Sequence, residues 1–355
     1  MLRTIFISLL FLCSASPAYA IETYLKVESY NYAEPTTINS FLNEFDGRFE
    51  GGTQAFAHEW LEVGARLGNW ELGLLSRYDY DMSFSNDTAE LYYLVTNGLP
   101  LEVGRQYHLD LSAKHYKTNG LRLGYGFSPA QSLDLKLGLA YLRGLKLMDG
   151  NIHGEATSVA ENDYDFMFHT DYYYSEDPLF DRVAEAPNGW GYSIDLVADW
   201  QPTSRLGLHL QVRDLLGAIF WRDAPHTIAD ANSNNKIFDE DGYVIFTPTL
   251  KGIEEYRDFR QSLHAFGDVN VDYQVTTKYA LLYTGRFTTE TFFSGVGAAY
   301  TTNSKQTLAM LVYPELKAFE IDYRGPFWKI RLASDAFTPN KANYLSLSGY
   351  LSYTF

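Results

Sequence analysis

The residues with the most specific spacing for chemistry lie between Asp230 and Asp241. Side chains that carry oxygen occupy positions one, three and five of this twelve-residue segment, and a carboxylate occupies position twelve. Calcium takes about six to eight oxygen ligands, and this alternation turns successive side chains toward one ion. The predicted calcium ligands are Asp230, Asn232, Asn234, Lys236 and Asp241.

These twelve residues resemble the calcium loops of the EF-hand type, and most of all the dockerin variety that ends on Asp. Asn235 stands where that loop usually has Gly, and Asn tolerates the left-handed backbone conformation better than most residues. Only Asp230 and Asp241 would bring charge to the ion, so we expect an affinity near the ~10⁻⁴–10⁻³ M range of extracellular modules. The alternative is an ordinary Asn/Asp-rich surface loop. No other cofactor is predicted.

A second set of charged residues lies on one face of segments that alternate between apolar and polar residues. Leu133, Leu135, Leu137 and Leu139, for example, alternate with Asp134 and Lys136. Because an Arg or Lys facing mid-membrane lipid costs about 2–4 kcal/mol, such charges must point into water or into a polar network. The predicted pore-lining residues are Glu62, Arg66, Glu71, Arg77, Asp79, Arg122, Asp134, Lys136, Asp195, Asp199, His209, Arg213, Asp268 and Asp272. The alternative is a filled lumen whose charges pair across the barrel.

The alternating segments predict an all-β fold, a transmembrane antiparallel β-barrel of fourteen to sixteen strands. The preferred number is sixteen. Fourteen is the main competitor, because the first strand and a predicted pair at 88–97 and 100–109 have weak patterns. Short turns near 68, 97, 130, 203, 276, 303 and 325 are predicted on one side of the membrane, with longer loops on the other.

The last strand, Tyr344 to Phe355, places Leu345, Leu347, Leu351, Tyr353 and Phe355 on one face and hydroxyl groups on the other. This pattern resembles the C-terminal strand of Gram-negative outer-membrane β-barrels, where it serves as the assembly signal. The resemblance implies outer-membrane lipid and the barrel-assembly machinery as partners. The alternative is an edge strand of a soluble β-sandwich.

The beginning of the chain agrees with an envelope location. Arg3 precedes an apolar run, and Ala18 and Ala20 form an A-x-A-like cleavage site, which predicts a signal peptide at 1–20. Residues 21–355 are then predicted to form a single barrel domain in the outer membrane of a Gram-negative bacterium. The only cysteine, Cys13, lies in the signal peptide, so no disulfide is expected.

Composition excludes one class of partner and favours one location. The net charge of −16 argues against nucleic acid, since binding phosphates needs a basic face. The 28 Tyr, 23 Phe and 6 Trp are typical of barrels, in which aromatic girdles line both membrane interfaces.

Two connections are unusually long, at 149–188 and 215–262. The first is acidic and contains an aromatic run. One interpretation is a lid, a constriction or a recognition site over the pore. The other is a hairpin that extends the wall above the membrane.

Catalytic residues are not predicted. Asp79-Tyr80-Asp81 and His169-Thr170-Asp171 resemble the Asp pair and Asp–His pair of omptin proteases, but the His and Asp are in the reverse order. The chain is therefore not expected to be an enzyme.

The predicted function is a porin-like channel through which small solutes diffuse. The alternative is a non-conducting barrel that displays its long loops for adhesion or partner assembly. A transporter of hydrophobic substrates, which would resemble the fatty-acid transporters in aromatic content, and a barrel hydrolase are minor alternatives.

Overall fold

The computed structural model describes residues 20–180, 182–233, 236–238, 244–246 and 249–355. The predicted signal peptide lies outside them, apart from Ala20. Within the described residues, two α-helices, α1 (Ile38–Leu42) and α2 (Asn86–Thr96), and a short 3₁₀ helix (Pro339–Lys341) interrupt a series of strands. The strands are β1 (Ile21–Ala33), β2 (Gln54–Leu67), β3 (Trp70–Phe84), β4 (Gln106–Ala130), β5 (Leu133–Ala160), β6 (Asp163–Tyr174), β7 (Asn188–Trp200), β8 (Leu206–Asn232), β9 (Lys236–Phe238), β10 (Val244–Phe246), β11 (Thr249–Ser262), β12 (Phe266–Gln274), β13 (Tyr279–Phe287), β14 (Phe292–Thr301), β15 (Thr307–Tyr313), β16 (Ala318–Arg324), β17 (Trp328–Ser334) and β18 (Tyr344–Thr354).

Fourteen of these strands close into an antiparallel ring: β1 to β5, β7, β8, and β12 to β18. The ring closes where β18 pairs with β1, from Glu22↔Thr354 to Tyr32↔Tyr344. Strands β6 and β11 join the same sheet outside the ring, and β9 and β10 form a separate hairpin. The predicted all-β antiparallel barrel is confirmed. The sheet as a whole has sixteen strands, which is the preferred predicted number. The closed barrel has fourteen of them, which is the other end of the predicted range.

A pair of strands is predicted at 88–97 and 100–109. The prediction of the first strand, at 88–97, is wrong because most of these residues form α2. The Ser85 hydroxyl caps the helix by accepting a hydrogen bond from the Thr88 amide at 3.0 Å. The dipeptide Asn97-Gly98 ends the helix, with Gly98 at a φ of 62°. This predicted turn therefore does not join two barrel strands.

The other short turns, near 68, 130, 203, 276, 303 and 325, all link consecutive ring strands at one end of the barrel, the short-turn end. The helices and the long connections lie at the opposite end, the loop end. The predicted asymmetry between the two ends is thus present in the fold.

A belt of exposed apolar side chains surrounds the ring. Leu72 and Leu74 on β3, Leu121 on β4 and Leu139 on β5 are each more than half exposed, between 51% and 63%. These residues alternate with inward-facing polar residues, as the period of two predicts. Among the described residues, no helix has the length and apolar character needed to cross a bilayer.

The wall of the barrel is much taller on one flank than on the other. Strands β4, β5 and β8 have 25, 28 and 27 residues, whereas β15, β16 and β17 have seven each. The upper halves of β4, β5 and β8, together with β6 and β11, form an outer sheet beyond the belt. Most of the predicted loop at 149–188 is therefore a hairpin that extends the wall, and 215–262 contributes β8 and β11 to it.

Replacing Leu72 with Arg tests whether the belt faces lipid. Leu72 is 57% exposed on the outer face and pairs with Leu123, nearer the middle of the belt, and an arginine at mid-bilayer costs about 2–4 kcal/mol. We expect L72R to lower the free energy of unfolding in phospholipid vesicles by about that amount, measured by urea titration. Leu42 on α1 is 76% exposed outside the belt, so L42R should change the value by less than about 0.5 kcal/mol. Equal effects of the two variants would contradict a lipid-facing belt.

Candidate functional site

Strand register places the predicted pore-lining residues on the inner face of the ring, opposite the apolar belt. Those near the middle of the barrel are buried: Glu62, Glu71, Arg77, Asp79, Arg122, Asp195, Arg213 and Asp268. Those nearer the short-turn end are partly or largely exposed: Arg66, Asp134, Lys136, Asp199, His209 and Asp272. Their pore-lining role stays a prediction.

A cavity of about 520 Å³ occupies the interior toward the short-turn end, and charged side chains of both signs line it. Arg122 lies among three carboxylates. Its Nε donates to Asp195 Oδ2 at 3.0 Å, and its Nη1 donates to Glu71 Oε1 at 3.1 Å and lies 3.6 Å from Glu62. Lys136 Nζ donates to Glu71 Oε2 at 2.7 Å. The acids and bases that face this cavity therefore largely neutralise one another.

A second charged group lies deeper in the barrel, around Arg77. Its guanidinium donates to both carboxylate oxygens of Asp214, at 2.9 and 2.6 Å, and to Asp79 at 3.2 Å. It also donates to the Tyr116 hydroxyl at 3.0 Å. Arg77 and Asp214 are each 3% exposed, so folding removes both charges from water, which costs free energy. The bidentate hydrogen bonds between the guanidinium and the carboxylate offset this cost of desolvation.

Asp214 was not predicted from the sequence. Arg213 faces inward, so strict alternation would turn Asp214 outward. The backbone of Asp214 instead adopts a φ of 51°, and the register of β7 against β8 shifts between Ile194 and Leu196. The irregularity turns both Arg213 and Asp214 inward. The break in alternation at Asp214-Leu215-Leu216 is the sequence signal that could have revealed it.

Aromatic side chains fill the interior near the loop end. The lumen aromatic cluster consists of Tyr30, Phe56, Phe266, Phe293, Tyr313 and Tyr344, each at most 6% exposed. The ring centroids of Tyr30 and Phe266 are 5.2 Å apart, and the Arg286 guanidinium lies 4.1 Å from the Tyr30 centroid. The sequence analysis did not predict this cluster, because it considered only the charged and histidine residues on the inward faces of the strands. The signal was present in Tyr30 and Phe56, which share those faces.

Strand β11 closes the interior on the tall flank. Trp221 Nε1 donates to Gln261 Oε1 at 3.2 Å, and Gln261 Nε2 donates to the carbonyls of His115 and Met148 at 3.3 and 3.1 Å. The Trp221 ring also lies against Gly189, where an added Cβ would come within 2.5 Å of it. Gln261 therefore connects β11 to β4 and β5 across the inside of the wall.

The structure does not bring together the residues with an omptin-like pattern. Asp79 and Asp81 both contact His58, at 3.0 Å and 3.3 Å, inside the ring. His169 lies on β6 in the outer sheet, where its Nδ1 is 2.9 Å from Asp230 Oδ1. The predicted Asp pair and the predicted His thus belong to different parts of the molecule.

The predicted calcium loop is only partly within the described residues. Asp230 and Asn232 lie in the extended strand β8, and Lys236 lies in β9, while Asn234 and Asp241 are outside the described part. Within that part, no group of three or more His, Asp or Glu side chains is arranged to hold a metal. Calcium binding by this segment stays a prediction.

A segment at 175–187 connects the outer sheet back to the ring, and Asp177 organises it. The Asp177 carboxylate accepts hydrogen bonds from the amides of Leu179 and Phe180 at 3.1 Å, from the Tyr172 hydroxyl at 2.9 Å and from Arg182 Nε at 2.6 Å. Burial alone would raise the pKa of Asp177. The hydrogen bonds, that of Arg182 first, lower this pKa below its ordinary value.

A scan of protein-family models and a search of curated proteins gave no match. Among solved structures, the chain is similar to the P. putida toluene transporter TodX, with 12% identity and a TM-score of 0.36 over 96% of this chain and 90% of that chain. A TodX deltaS2S3 mutant, described as a monoaromatic hydrocarbon channel, gives 10% identity and a TM-score of 0.43 over 95% and 91%. A Pseudomonas aeruginosa FadL homologue gives 10% and 0.37 over 95% and 88%.

Removing Arg77 tests the deeper charged group. The variant R77M leaves Asp214 buried without the guanidinium that binds both of its oxygens, so we expect the free energy of unfolding to fall by about 3–5 kcal/mol in a urea titration. Removing both charges in R77M/D214L should restore most of that loss. Arg205 lies on an exposed turn, so R205M is the control and should have little effect. A loss in R77M no larger than in R205M would contradict a structural role for the pair.

Lowering the pH tests the contacts of Asp177. A carboxyl whose folded-state pKa is lowered stabilises the fold above its ordinary pKa, and this contribution is lost as the pH falls through the folded value. We therefore expect the amide-exchange protection of Leu179 and Phe180, corrected for intrinsic rates, to decrease when the pH is lowered below about 4. The variant D177N should lack this protection at pH 7 and show no further change. Protection that is independent of pH in the unmodified chain would contradict the prediction.

Proposed function

We propose that this chain is an outer-membrane channel that takes small apolar molecules, aromatic ones above all, into its barrel. The single observation that carries the proposal is the lumen aromatic cluster, which lies inside a ring with an apolar outer face. The proposal therefore favours the hydrophobic-substrate alternative over an open porin.

The outer-membrane location is supported by the outer surface of the ring. In lipid every backbone polar group needs an internal partner, and a closed barrel provides one without leaving a strand edge. The exposed leucines of the belt face outward all along β3, β4 and β5. Tyr353 on β18 and Phe355, which directly follows this strand, are 63% and 76% exposed. We infer that lipid covers the belt and that the barrel-assembly machinery recognises β18.

The charges inside the barrel argue against free diffusion of hydrophilic solutes. Arg122 and Arg77 both use their guanidinium groups to bind carboxylates of other strands, and Arg213 contacts Glu28 in the same way. These ion pairs connect strands across the lumen. They leave a cavity toward the short-turn end, whereas an open channel would need a continuous wet path through the whole barrel.

The aromatic residues supply a surface for an apolar guest. Tyr32 packs on Phe293 with centroids 5.4 Å apart, and Phe56 lies 5.6 Å from Tyr32. Aromatic rings pair edge-to-face or offset at such distances, so a planar apolar guest could replace one ring of a pair. Passage then requires that side chains of the cluster move aside.

A display function is the second candidate. The observation that favours it is the outer sheet, which rises beyond the belt on β4, β5 and β8 and is joined by β6 and β11. A barrel with a filled lumen and a tall outer sheet could hold that sheet out for a partner. In that case neither apolar nor hydrophilic solutes would cross.

Entry of an apolar dye into Gram-negative cells tests the channel. Phe293 faces the lumen, whereas its neighbour Phe292 is 52% exposed on the outer face, so F293S and F292S form a matched pair. We expect expression of the unmodified chain to speed entry of N-phenyl-1-naphthylamine, followed by its fluorescence. F293S should slow entry about threefold to tenfold, as expected for the loss of one aromatic contact of about 0.5–1.5 kcal/mol, and F292S should not.

Conductance of the purified protein in a planar bilayer separates the three candidates. A channel for apolar molecules should speed dye entry and show only small ion currents. Large, steady currents would favour the porin prediction. An absence of both dye entry and current would favour display, and equal dye entry in F293S and F292S would contradict the role of the lumen aromatic cluster.

A further inference from the structure

Three cations lie side by side on the outer surface, just above the apolar belt. Lys117 on β4 pairs directly with Lys146 on β5, and Arg143 lies one row lower, opposite Asn119. The next row toward the membrane is the Leu121↔Tyr141 pair, in which both side chains are more than half exposed. We term these three cations, Lys117, Arg143 and Lys146, the basic patch. The basic patch lies directly beside the loop-end border of the apolar belt.

The basic patch is poorly neutralised by the protein itself. Like charges placed directly opposite each other on neighbouring strands destabilise a sheet. Lys146 Nζ donates to Glu176 at 2.8 Å, but that carboxylate is 76% exposed. Lys117 and Arg143 make no ion pair with any residue in the described part of the chain. The chain as a whole is acidic, with a net charge of −16, so this concentration of free cations is local.

A cleft lies directly above the basic patch, farther from the membrane. Its volume is about 760 Å³, and it is bounded by the outward faces of β3 to β6 and by residues 175–179 and 182–184 of the following connection. Rings and apolar groups of Tyr80, His115 and Ile152 line it, and His115 Nε2 has no hydrogen-bond partner among the described residues. Such a mixture of ring faces and hydrogen-bonding groups suits a saccharide.

The two flanks of the barrel differ at this level. Beside the patch, Arg143 pairs with Trp190, which is 43% exposed and stacks on Phe220 at 4.8 Å. Exposed tryptophan is typical of the membrane interface, so the patch lies at the height of lipid headgroups. On the short flank, the loop-end cations Lys317 and Lys341 lie on separate connections.

We propose that the basic patch and the cleft above it bind a phosphorylated glycolipid of the outer leaflet. The phosphates contact Lys117, Arg143 and Lys146, the acyl chains lie along the belt below, and the sugars enter the cleft. Charge-assisted hydrogen bonds to phosphate are about twice as strong as neutral ones, and clustered Lys and Arg beside a membrane attract anionic lipids. The inference rests on the outer-membrane location proposed above and is independent of what the lumen carries.

Native mass spectrometry of the full-length protein in detergent micelles tests the site. The probe is bisphosphorylated lipid A with its inner-core sugars, and the comparison is the same glycolipid without phosphates. K117Q/R143Q removes the two cations of the patch that make no ion pair with a described residue, and K317Q/K341Q removes two cations from the loop end of the other flank. We expect K117Q/R143Q to weaken binding of the phosphorylated probe by about tenfold or more and K317Q/K341Q to leave it within about twofold.

Each comparison has an outcome that would overturn the proposal. Equal affinity for the probes with and without phosphate would do so, as would equal losses in the two double variants. Inorganic pyrophosphate should compete only weakly, and competition as strong as that of the glycolipid would indicate a free-phosphate site. Entry of the apolar dye should be unchanged in K117Q/R143Q, so a failed glycolipid experiment and a failed channel experiment remain distinguishable.

Discussion

A charge that is taken out of water inside a protein needs a partner, and this requirement shapes the interior of the barrel. Arg77 and Asp214 come from β3 and β8, and Arg122 joins β4 to acids of β2, β3 and β7. These pairs cross the lumen as well as linking neighbouring strands. They therefore hold particular strands opposite each other across the lumen. A molecule that crosses the barrel must pass beside these ion pairs or displace them.

The interior is divided into two kinds of surface. Toward the short-turn end it is charged and holds a cavity, and toward the loop end it is aromatic and closely packed. Charged groups are also present at the loop end, where Asp81, Lys114 and Asp149 line a smaller cavity beside Phe56. In the proposed channel, the aromatic surface is the part of the interior that would hold an apolar molecule.

Alternation made the ring strands and their inward faces predictable, as in β5, where Leu137 and Leu139 point out and Lys136 points in. It failed where a local feature overrides the period of two. Asp214 faces inward because of an irregularity in β8, and α2 forms because Ser85 caps a segment whose Leu91, Tyr93 and Val95 alternate like a strand. The lumen aromatic cluster depends on closure of the ring, which brings β1, β12 and β18 together from distant parts of the chain. No short sequence window contains that information.

The pairing of β1 with β18 also has a consequence for the order of folding. Glu22 and Tyr350, which share a hydrogen bond across this seam, are 328 residues apart, whereas most other ring neighbours are joined by short turns. Contacts this distant in the chain are slow to form because the entropy of a long loop is lost first. We expect the seam to close last, after the hairpins. Until then β1 and β18 present open edges, the surfaces on which two incomplete chains would join each other.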